Sequence, residues 1–248
     1  MNPIIDEIYA TNTVRDSRGN EYPLSAEVDA ASGDFLYRLI SSDRSVTKTL
    51  EIGCAYGLSS LHICEALRGR LEACHVIIDP KQMSVWHDIG VFHLEKAQID
   101  FFKLIYEPSE LALPDLLRSE PESFDLIFID GWHTFDHTML DLFYANRLIR
   151  VGGYIIIDDC TWRAVSAAVS YYLNYPAYEQ VREPAIKASS LRMQIAKISR
   201  TLLPPHVAYG IVPTALYNRF YRRIRYPSII AFKKVREDVR NWAWFQGF

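Results

Sequence analysis

Thr47-Lys-Thr-Leu-Glu-Ile-Gly-Cys-Ala-Tyr-Gly57 is the stretch that decides the fold. It predicts a short strand at residues 49–52, a turn that carries Gly53 and Gly57, and a helix that opens at Leu58. Glycine lets the backbone bend sharply and approach a ligand closely. The start of the helix presents unpaired N–H groups and a partial positive charge to whatever fills the turn. The stretch therefore predicts a cradle for a nucleotide-like ligand.

The spacing of the glycines separates this cradle from a dinucleotide site. The dinucleotide fingerprint reads G-x-G-x-x-G, whereas Gly53 and Gly57 lie four residues apart, with Glu51 just before them. An acidic residue beside the loop suits a cationic amino group better than a pyrophosphate. The ligand indicated is an adenosyl amino acid.

A second acidic residue closes the next predicted strand. Cys74-His-Val-Ile-Ile-Asp79 is a short apolar run that ends about twenty residues past the glycines. A carboxylate at that position can accept both hydroxyls of a ribose. The alternative is that Asp79 and Pro80 only start a turn. Because Asp79 follows the glycines at the spacing expected for a ribose-binding acid, the ribose role is favoured.

Composition and charge exclude several classes of protein. The chain has 248 residues, is 49 % hydrophobic and carries a net charge of −3, which favours one domain with decorations and argues against a nucleic-acid binder. The four cysteines form no C-x-x-C pair and are typical of a reduced, cytoplasmic protein. The first residues lack a signal-peptide pattern, and no apolar run reaches membrane-spanning length.

Strands and helices alternate along the rest of the chain. Apolar strands between amphipathic helices predict an α/β fold whose mostly parallel sheet carries helices on both faces and binds ligands at the carboxyl ends of its strands. The predicted strands are 49–52, 74–79, 102–106, 124–130, 154–158, an edge strand near 178–181, and 228–233. The predicted helices are 25–41, 58–67, 85–99, 111–118, 134–149 and 163–173.

Three aspartates close two of these strands. Asp130 ends one strand, and Asp158 with Asp159 ends the next. If the strands are neighbours, the three carboxylates converge and repel one another unless a cation lies between them. Carboxylate oxygens with room for water suit Mg²⁺. The alternative is that Asp158 and Asp159 only cap the following helix, but three caps are less expected than one metal site.

The residues after Asp130 add a candidate base. His133 lies three positions on, and an imidazole titrates near neutral pH, which suits a group that takes a proton from a hydroxyl. His137, one helical turn later, is the competing candidate, and either histidine could instead ligate the metal. Trp132 is expected to form a wall of the pocket or to fill the core.

These motifs resemble those of class I S-adenosylmethionine-dependent methyltransferases, specifically the metal-dependent O-methyltransferases of catechols and of macrolide and aminocoumarin sugars. The likeness runs from about residue 28 to 169. The segments that carry it are Glu51-Ile-Gly-Cys-Ala-Tyr-Gly-Leu-Ser59, Asp79-Pro80, Pro108-Ser-Glu-Leu111, residues 124–133 and Gly152-Gly-Tyr-Ile-Ile-Ile-Asp-Asp159. The fold implied is a Rossmann-like, seven-stranded sheet.

The resemblance implies a role for each matching residue. Ser59 would hold the carboxylate of the cofactor, and Ser109 and Glu110 would lie at the adenine. His133 stands where catechol-type enzymes carry lysine, and Asp159 where they carry asparagine, so the sugar branch is closer. The implied catalytic residues are His133 and Asp130, and the implied metal ligands are Asp130, Asp158 and Asp159. The implied cofactor-binding residues are Glu51, Gly53, Cys54, Ala55, Gly57, Ser59, Asp79, Ser109, Glu110, Asp130 and Trp132.

The function implied is methyl transfer from S-adenosylmethionine to a hydroxyl of a small molecule or sugar-containing metabolite, with Mg²⁺ assistance and His133 as general base. Two alternatives stay open. One is a metal-independent methyltransferase in which the acids serve structure. The other is a silent partner protein that binds the cofactor without transferring its methyl group.

The expected organisation is a helical cap at 1–45, a methyltransferase domain at 46–236 and an aromatic tail at 237–248 that packs on the body or on a partner. The domain contains a basic amphipathic insertion at about 183–225. Residues 182–225 hold nine Lys or Arg and one acid, a local charge of +8. The insertion is interpreted as a lid or dimer arm, as a contact with an anionic membrane surface, or as a collector of an acidic substrate.

Overall fold

The computed structural model describes residues 2–25, 28–181 and 228–245. The helices in these ranges are α1 (Pro3–Thr11), α2 (Ala30–Ser42), α3 (Leu58–Leu67), α4 (Ile89–Lys96), α5 (Ser109–Ser119), α6 (Phe135–Leu148) and α7 (Arg163–Tyr172). The strands are β1 (Thr13–Arg15), β2 (Glu21–Pro23), β3 (Lys48–Ile52), β4 (Cys74–Ile78), β5 (Phe102–Ile105), β6 (Phe124–Ile129), β7 (Ile149–Ile157), β8 (Tyr178–Gln180) and β9 (Ile230–Lys234).

The main sheet has seven strands in the order β5-β4-β3-β6-β7-β9-β8. Strands β3 to β7 pair in parallel, whereas β9 runs antiparallel to both β7 and β8. This topology confirms the predicted α/β fold with a mostly parallel seven-stranded sheet. The strand order reverses between β3 and β6, so their carboxyl ends flank the crevice where such sheets bind ligands.

Strand β6 explains why helices cover both faces of the sheet. All six of its residues are buried, and alternate side chains enter different cores. Leu126 and Phe128 pack with residues of α1 to α4, while Ile127 and Ile129 pack with residues of α5 to α7. Each such buried side chain stabilises the fold by roughly 1.5–3 kcal/mol, which makes the central strands the rigid base for the residues that follow them.

Two predicted helices start later than expected. The helix predicted at 25–41 begins at Ala30, because Asp29 caps it by accepting a hydrogen bond from the Ser32 N–H at 2.7 Å. The helix predicted at 85–99 begins at Ile89, since His87 and Asp88 before it adopt left-handed backbone conformations with φ of 53° and 54°. Residues 80–88 instead form turns that pack beside the glycine-containing loop.

The described residues before β3 form α1, the β1–β2 hairpin and α2. The N–H of Ile4 donates to the Asn2 side chain, which caps the start of α1. At the other end of the chain, the Trp244 ring contacts the Tyr171 and Tyr175 rings, which attaches this part of the tail to α7.

The basic insertion predicted at 183–225 lies outside the described residues, and so do the lid, dimer and membrane roles considered for it. Among the described residues, no helix combines the length and the apolar character needed to cross a membrane.

Candidate functional site

A cavity of about 670 Å³ opens at the carboxyl ends of the parallel strands. Hydrogen bonds between neighbouring strands continue past the strand ends and align the residues there. The N–H of Gly53 donates to Ile78 O at 2.9 Å, that of Asp130 to Ile52 O at 2.9 Å, and that of Asp158 to Ile129 O at 3.0 Å. The pairing of neighbouring strands thus brings residues that are far apart in sequence to one wall of the cavity.

Most of the predicted site residues line this cavity. They are Gly53, Cys54, Ala55, Ser59, Asp79, Ser109, Glu110, Asp130, Trp132, His133, Asp158 and Asp159. Two of the predicted residues, Glu51 and Gly57, are not part of its lining.

The turn after β3 needs its glycines for steric as well as conformational reasons. Gly53 and Gly57 have φ of +91° and +81°, a region that side chains disfavour. A Cβ on Gly53 would lie 2.1 Å from the carbonyl oxygen of Asp130, and one on Gly57 would lie 2.9 Å from the Cα of Gly90. Gly53 therefore permits the close approach of two strand ends, and Gly57 permits the packing of α4 against the loop.

Glu51 lies beneath the loop and takes part in a buried polar chain. Its Oε2 accepts a hydrogen bond from the Ser60 hydroxyl and lies 3.0 Å from His75 Nε2, while His75 Nδ1 lies 2.8 Å from Thr49 Oγ1. These side chains have essentially no exposure. Glu51 is placed to support the start of α3, and its side chain does not enter the cavity from which a ligand's amino group would be contacted.

Asp79 lies in the cavity wall and is already hydrogen-bonded to the loop. Its Oδ2 accepts from the N–H groups of Cys54 and Ala55 at 3.1 and 3.0 Å and from the Gln82 amide at 3.0 Å. Its Oδ1 accepts from the N–H of Lys81 at 2.8 Å. The carboxylate thus fixes the shape of the glycine-containing turn in addition to facing the cavity.

Ser109 and Glu110 begin α5 and line the same cavity. Asp141 lies behind them on α6, buried, with no hydrogen-bond partner for its Oδ1 among the described residues. Burial raises the pKa of Asp141 to about 6, and the Ser109 hydroxyl partly offsets that effect. Sequence reasoning missed Asp141, because an aspartate in the middle of an amphipathic helix gives no sign of being buried.

The aspartates after β6 and β7 meet around His133. His133 Nε2 lies 3.3 Å from Asp130 Oδ1, and His133 Nδ1 lies 3.1 Å from Asp159 Oδ2. One ligand atom from each of these three residues falls within 4.8 Å of the others. Two members of the predicted metal triad, Asp130 and Asp159, therefore meet at His133, and Asp158 is not one of the three residues of this group.

Asp158 lies next to this cluster and is held by its own hydrogen bonds. Its Oδ1 accepts from the Asp159 N–H at 2.8 Å and from the Ser228 hydroxyl at 3.2 Å. Burial, reinforced by repulsion from Asp130, raises the pKa of Asp158 to about 7. Burial also raises the pKa of Asp130 to about 6, an effect that His133 opposes. The Asp130 carboxylate in turn raises the pKa of His133.

The lining of the cavity is strongly acidic. Among the described residues, its lining includes one lysine, Lys81, and six acidic residues, which are Asp29, Asp79, Glu110, Asp130, Asp158 and Asp159. Such a charge balance favours cationic ligands, since each carboxylate gains from a nearby positive charge. The donor set of carboxylates and an imidazole fits a divalent cation.

Several lining residues carried no signal in the sequence. Trp86 and Ser228 contribute to the wall from two different segments, whereas His137, which also lines it, was already the competing candidate for the base. The Trp162 ring, half exposed, packs against His133 with 5.2 Å between ring centroids. Only the spatial arrangement of these segments identifies them.

Comparison with known protein families finds a methyltransferase domain in the part of the chain that carries most of this site. A family model described as "Methyltransferase domain" matches residues 50–160. Among curated protein sequences there is no match to this chain.

The solved structures similar to this chain share its fold. An O-methyltransferase from Bacillus cereus in complex with SAH is 19 % identical, with 73 % of this chain and 83 % of that chain covered and a TM-score of 0.60. The O-methyltransferase TomG from Streptomyces achromogenes, in complex with SAM, is 20 % identical, with 63 % and 74 % covered and a TM-score of 0.54. The SAH-bound methyltransferase PaMTH1 from Podospora anserina is 22 % identical, with 64 % and 76 % covered and a TM-score of 0.53.

Proposed function

We propose that this chain is a class I S-adenosylmethionine-dependent methyltransferase, a proposal supported by the family match at residues 50–160, and that it transfers a methyl group to a hydroxyl oxygen of a small or sugar-containing metabolite. One observation carries the proposal. The glycine-containing turn and the cluster of Asp130, His133 and Asp159 line the same cavity, and Asp130 touches both. A methyl donor and an acceptor oxygen bound there would be neighbours.

The cofactor would lie along the loop and the strand ends. Gly53, Cys54, Ala55 and Ser59 offer backbone and hydroxyl groups, and Asp79 offers a carboxylate, on one side of the cavity. Ser109, Glu110 and the exposed ring of Trp132 line the same cavity. The surplus of carboxylates stabilises positive charge on the bound ligand.

Transfer to a hydroxyl requires alignment of the acceptor oxygen and removal of one proton. S-adenosylmethionine supplies an activated methyl group, and Mg²⁺, when bound, lowers the pKa of a nearby hydroxyl. The chain itself contributes the carboxylates of Asp130, Asp158 and Asp159, which would hold the cation. Ser228 and the Asp159 N–H fix the Asp158 carboxylate.

His133 is the proposed general base. The flanking carboxylates of Asp130 and Asp159 raise its pKa, so its neutral form is a stronger proton acceptor than an ordinary imidazole. The same geometry would allow His133 to ligate the cation instead, because its ring nitrogen and the two carboxylates lie within reach of one ion. A ligand role would shift the preferred metal from Mg²⁺ towards metals that imidazole favours, such as Fe²⁺, Ni²⁺ or Zn²⁺.

Binding of S-adenosylhomocysteine tests the cofactor part of the proposal. We expect a one-to-one complex in isothermal titration, with a Kd in the micromolar range typical of enzyme ligands. Methyl transfer from labelled S-adenosylmethionine to a panel of sugar and phenolic acceptors then separates an active enzyme from a silent binding protein. Binding without transfer to any acceptor would favour the silent partner, and absence of binding would contradict the proposed function.

The proposed cation site predicts that the thermal stability of the chain depends on pH. Burial raises the pKa of Asp130 to about 6 and of Asp158 to about 7, above the ordinary 3.8, so the folded chain holds protons that the unfolded chain has released. Stability contributed by these groups is present below about pH 4 and is lost as the pH rises towards 7. In EDTA, the melting temperature should fall between pH 5 and pH 8.

Saturating Mg²⁺ should offset that loss, because the cation binds the ionised carboxylates. The increase in melting temperature caused by Mg²⁺ should therefore be larger at pH 8 than at pH 5, and EDTA should lower turnover. The Asp158→Ala variant, which lacks one of the two carboxyl groups, is the matched control and should show a smaller pH effect. An increase of equal size at both pH values, or none, would argue for a metal-independent enzyme.

A further inference from the structure

The segment between Asp79 and α4 brings one buried side chain to the glycine-containing loop. Residues 80–88 form turns, of which 85–88 were predicted to be helical, and Gln82 within them is fully buried. Its Nε2 donates to the carbonyl oxygen of Ala55 at 2.7 Å and to Asp79 Oδ2 at 3.0 Å. Gln82 does not line the cavity, whereas Ala55 and Asp79 both do.

Ala55 is the loop residue that most needs external support. Its φ is +45°, a left-handed conformation that residues with a Cβ disfavour. Its N–H donates to Asp79 and its carbonyl accepts from Gln82, so both of its backbone polar groups are fixed by this pair of side chains. The conformation of the loop at Ala55 therefore depends on contacts from outside the loop.

Asp79 has little capacity left for a ligand. An ionised carboxylate offers about four acceptor positions. Three donors already reach Oδ2 and one reaches Oδ1, which leaves Oδ1 as the oxygen able to accept a hydroxyl. Gln82 is one of the donors that hold the carboxylate in this orientation.

The Gln82 side chain is poorly explained by stability alone. Its Oε1 is buried without a hydrogen-bond partner among the described residues, and an unsatisfied buried polar atom costs stability. An apolar side chain of similar shape would avoid that cost. What such a side chain could not provide is the amide N–H that joins the Ala55 carbonyl to Asp79.

We propose that Gln82 is a positioning residue for the cofactor, acting through Asp79 and Ala55 to hold the ribose-binding acid and the loop in one arrangement. The inference rests on the proposed function, since it assumes that the adenosyl cofactor occupies this cavity. Gln82 itself touches neither the cofactor nor the acceptor.

Gln82→Met is the central test, because methionine is close in shape and lacks the donor. We expect the Kd for S-adenosylhomocysteine, measured by isothermal titration, to rise about tenfold, as the loss of one hydrogen-bonded link predicts. The KM for S-adenosylmethionine should rise in proportion, with kcat at saturation kept within twofold. The melting temperature should stay within about 2 °C of the wild type, because the orphaned Oε1 is removed as well.

Two further variants test whether Gln82 affects cofactor binding through Asp79. Gln82→Glu places a second carboxylate against Asp79 and should weaken binding more than Gln82→Met does. In an Asp79→Asn background, Gln82→Met should weaken binding less than threefold, because the partner through which it acts has already changed. Gln180→Met, on the exposed edge strand β8, is the matched control and should bind like the wild type.

Three outcomes would overturn the inference. They are a Kd within twofold of the wild type in Gln82→Met, a lowered melting temperature with unchanged Kd, and the full tenfold effect in the Asp79→Asn background. Each of these requires a wild-type protein that binds S-adenosylhomocysteine. A wild type that does not bind it would instead remove the proposed function.

Discussion

Replacing Asp158 by alanine is expected to lower kcat about a thousandfold or more while leaving cofactor affinity within about threefold of the wild type. Asp158 lies beside the Asp130–His133–Asp159 cluster, and its Oδ1 fixes the backbone N–H of Asp159 at 2.8 Å. Its loss removes a proposed cation ligand and the support of another. A cation that acidifies the acceptor contributes several kcal/mol to the transition state, and each 1.36 kcal/mol is tenfold in rate.

Cofactor affinity should change little, because Asp158 makes no hydrogen bond to the glycine-containing loop or to Asp79. The measurements are steady-state turnover with a methyl acceptor and isothermal titration with S-adenosylhomocysteine. Asp115→Ala, an exposed aspartate on α5, is the control and should behave like the wild type. Unchanged turnover in Asp158→Ala would remove the metal proposal.

The His133→Ala variant distinguishes the two roles proposed for His133, general base and metal ligand. If His133 is the base, His133→Ala should lose turnover and still bind Mn²⁺, as measured by electron paramagnetic resonance. If it is a ligand, the affinity for Mn²⁺ should fall together with turnover, because a ring nitrogen at 3.3 Å from Asp130 Oδ1 would no longer complete the site. We expect the first result.

Gly53→Ala should reduce affinity for S-adenosylhomocysteine by at least about a hundredfold. The new Cβ would lie 2.1 Å from the carbonyl oxygen of Asp130, which is backbone and can move only if β3 and β6 separate at their ends. A shift of that kind displaces the loop and the Asp130 carboxylate together. Isothermal titration measures the loss of affinity, and thermal unfolding shows whether the fold survives.

Gly19→Ala is a matched control for this experiment. Gly19 has φ of +85°, close to the +91° of Gly53, but nothing lies within 4 Å of a Cβ built on it. Both variants therefore share the backbone strain of a left-handed alanine, roughly 1–2 kcal/mol, and only Gly53→Ala adds the steric clash. Equal cofactor binding by the two variants would show that the close approach at Gly53 does not matter for the site.

Much of the fold and part of the site could be predicted from the sequence alone. The apolar run of β6 and its neighbours predicted a buried parallel sheet, and helix α3 begins and ends where its pattern indicated. Acids and glycines at strand ends predicted which residues meet in the cavity. These predictions succeed because strand alternation, turn chemistry and the carboxyl-end rule are local or topological properties that one chain carries in order.

Other features were settled only by packing between distant segments. The sequence predicted Glu51 as a cofactor-binding residue, and only the structure shows that His75 on β4 and Ser60 on α3 hold its side chain. The turns at residues 80–88 bring Gln82 to Ala55, and the helix expected from residue 85 begins only after them. His133, not Asp158, stands between Asp130 and Asp159.

The sequence by itself thus determined the α/β architecture, the position of the cradle and the set of acids at the strand ends. The tertiary structure decided which way those acids point and which neutral residues hold them. The physical reason is that side-chain orientation depends on non-local neighbours, on the burial they impose and on the hydrogen bonds that burial then requires. A linear pattern of residues specifies none of these.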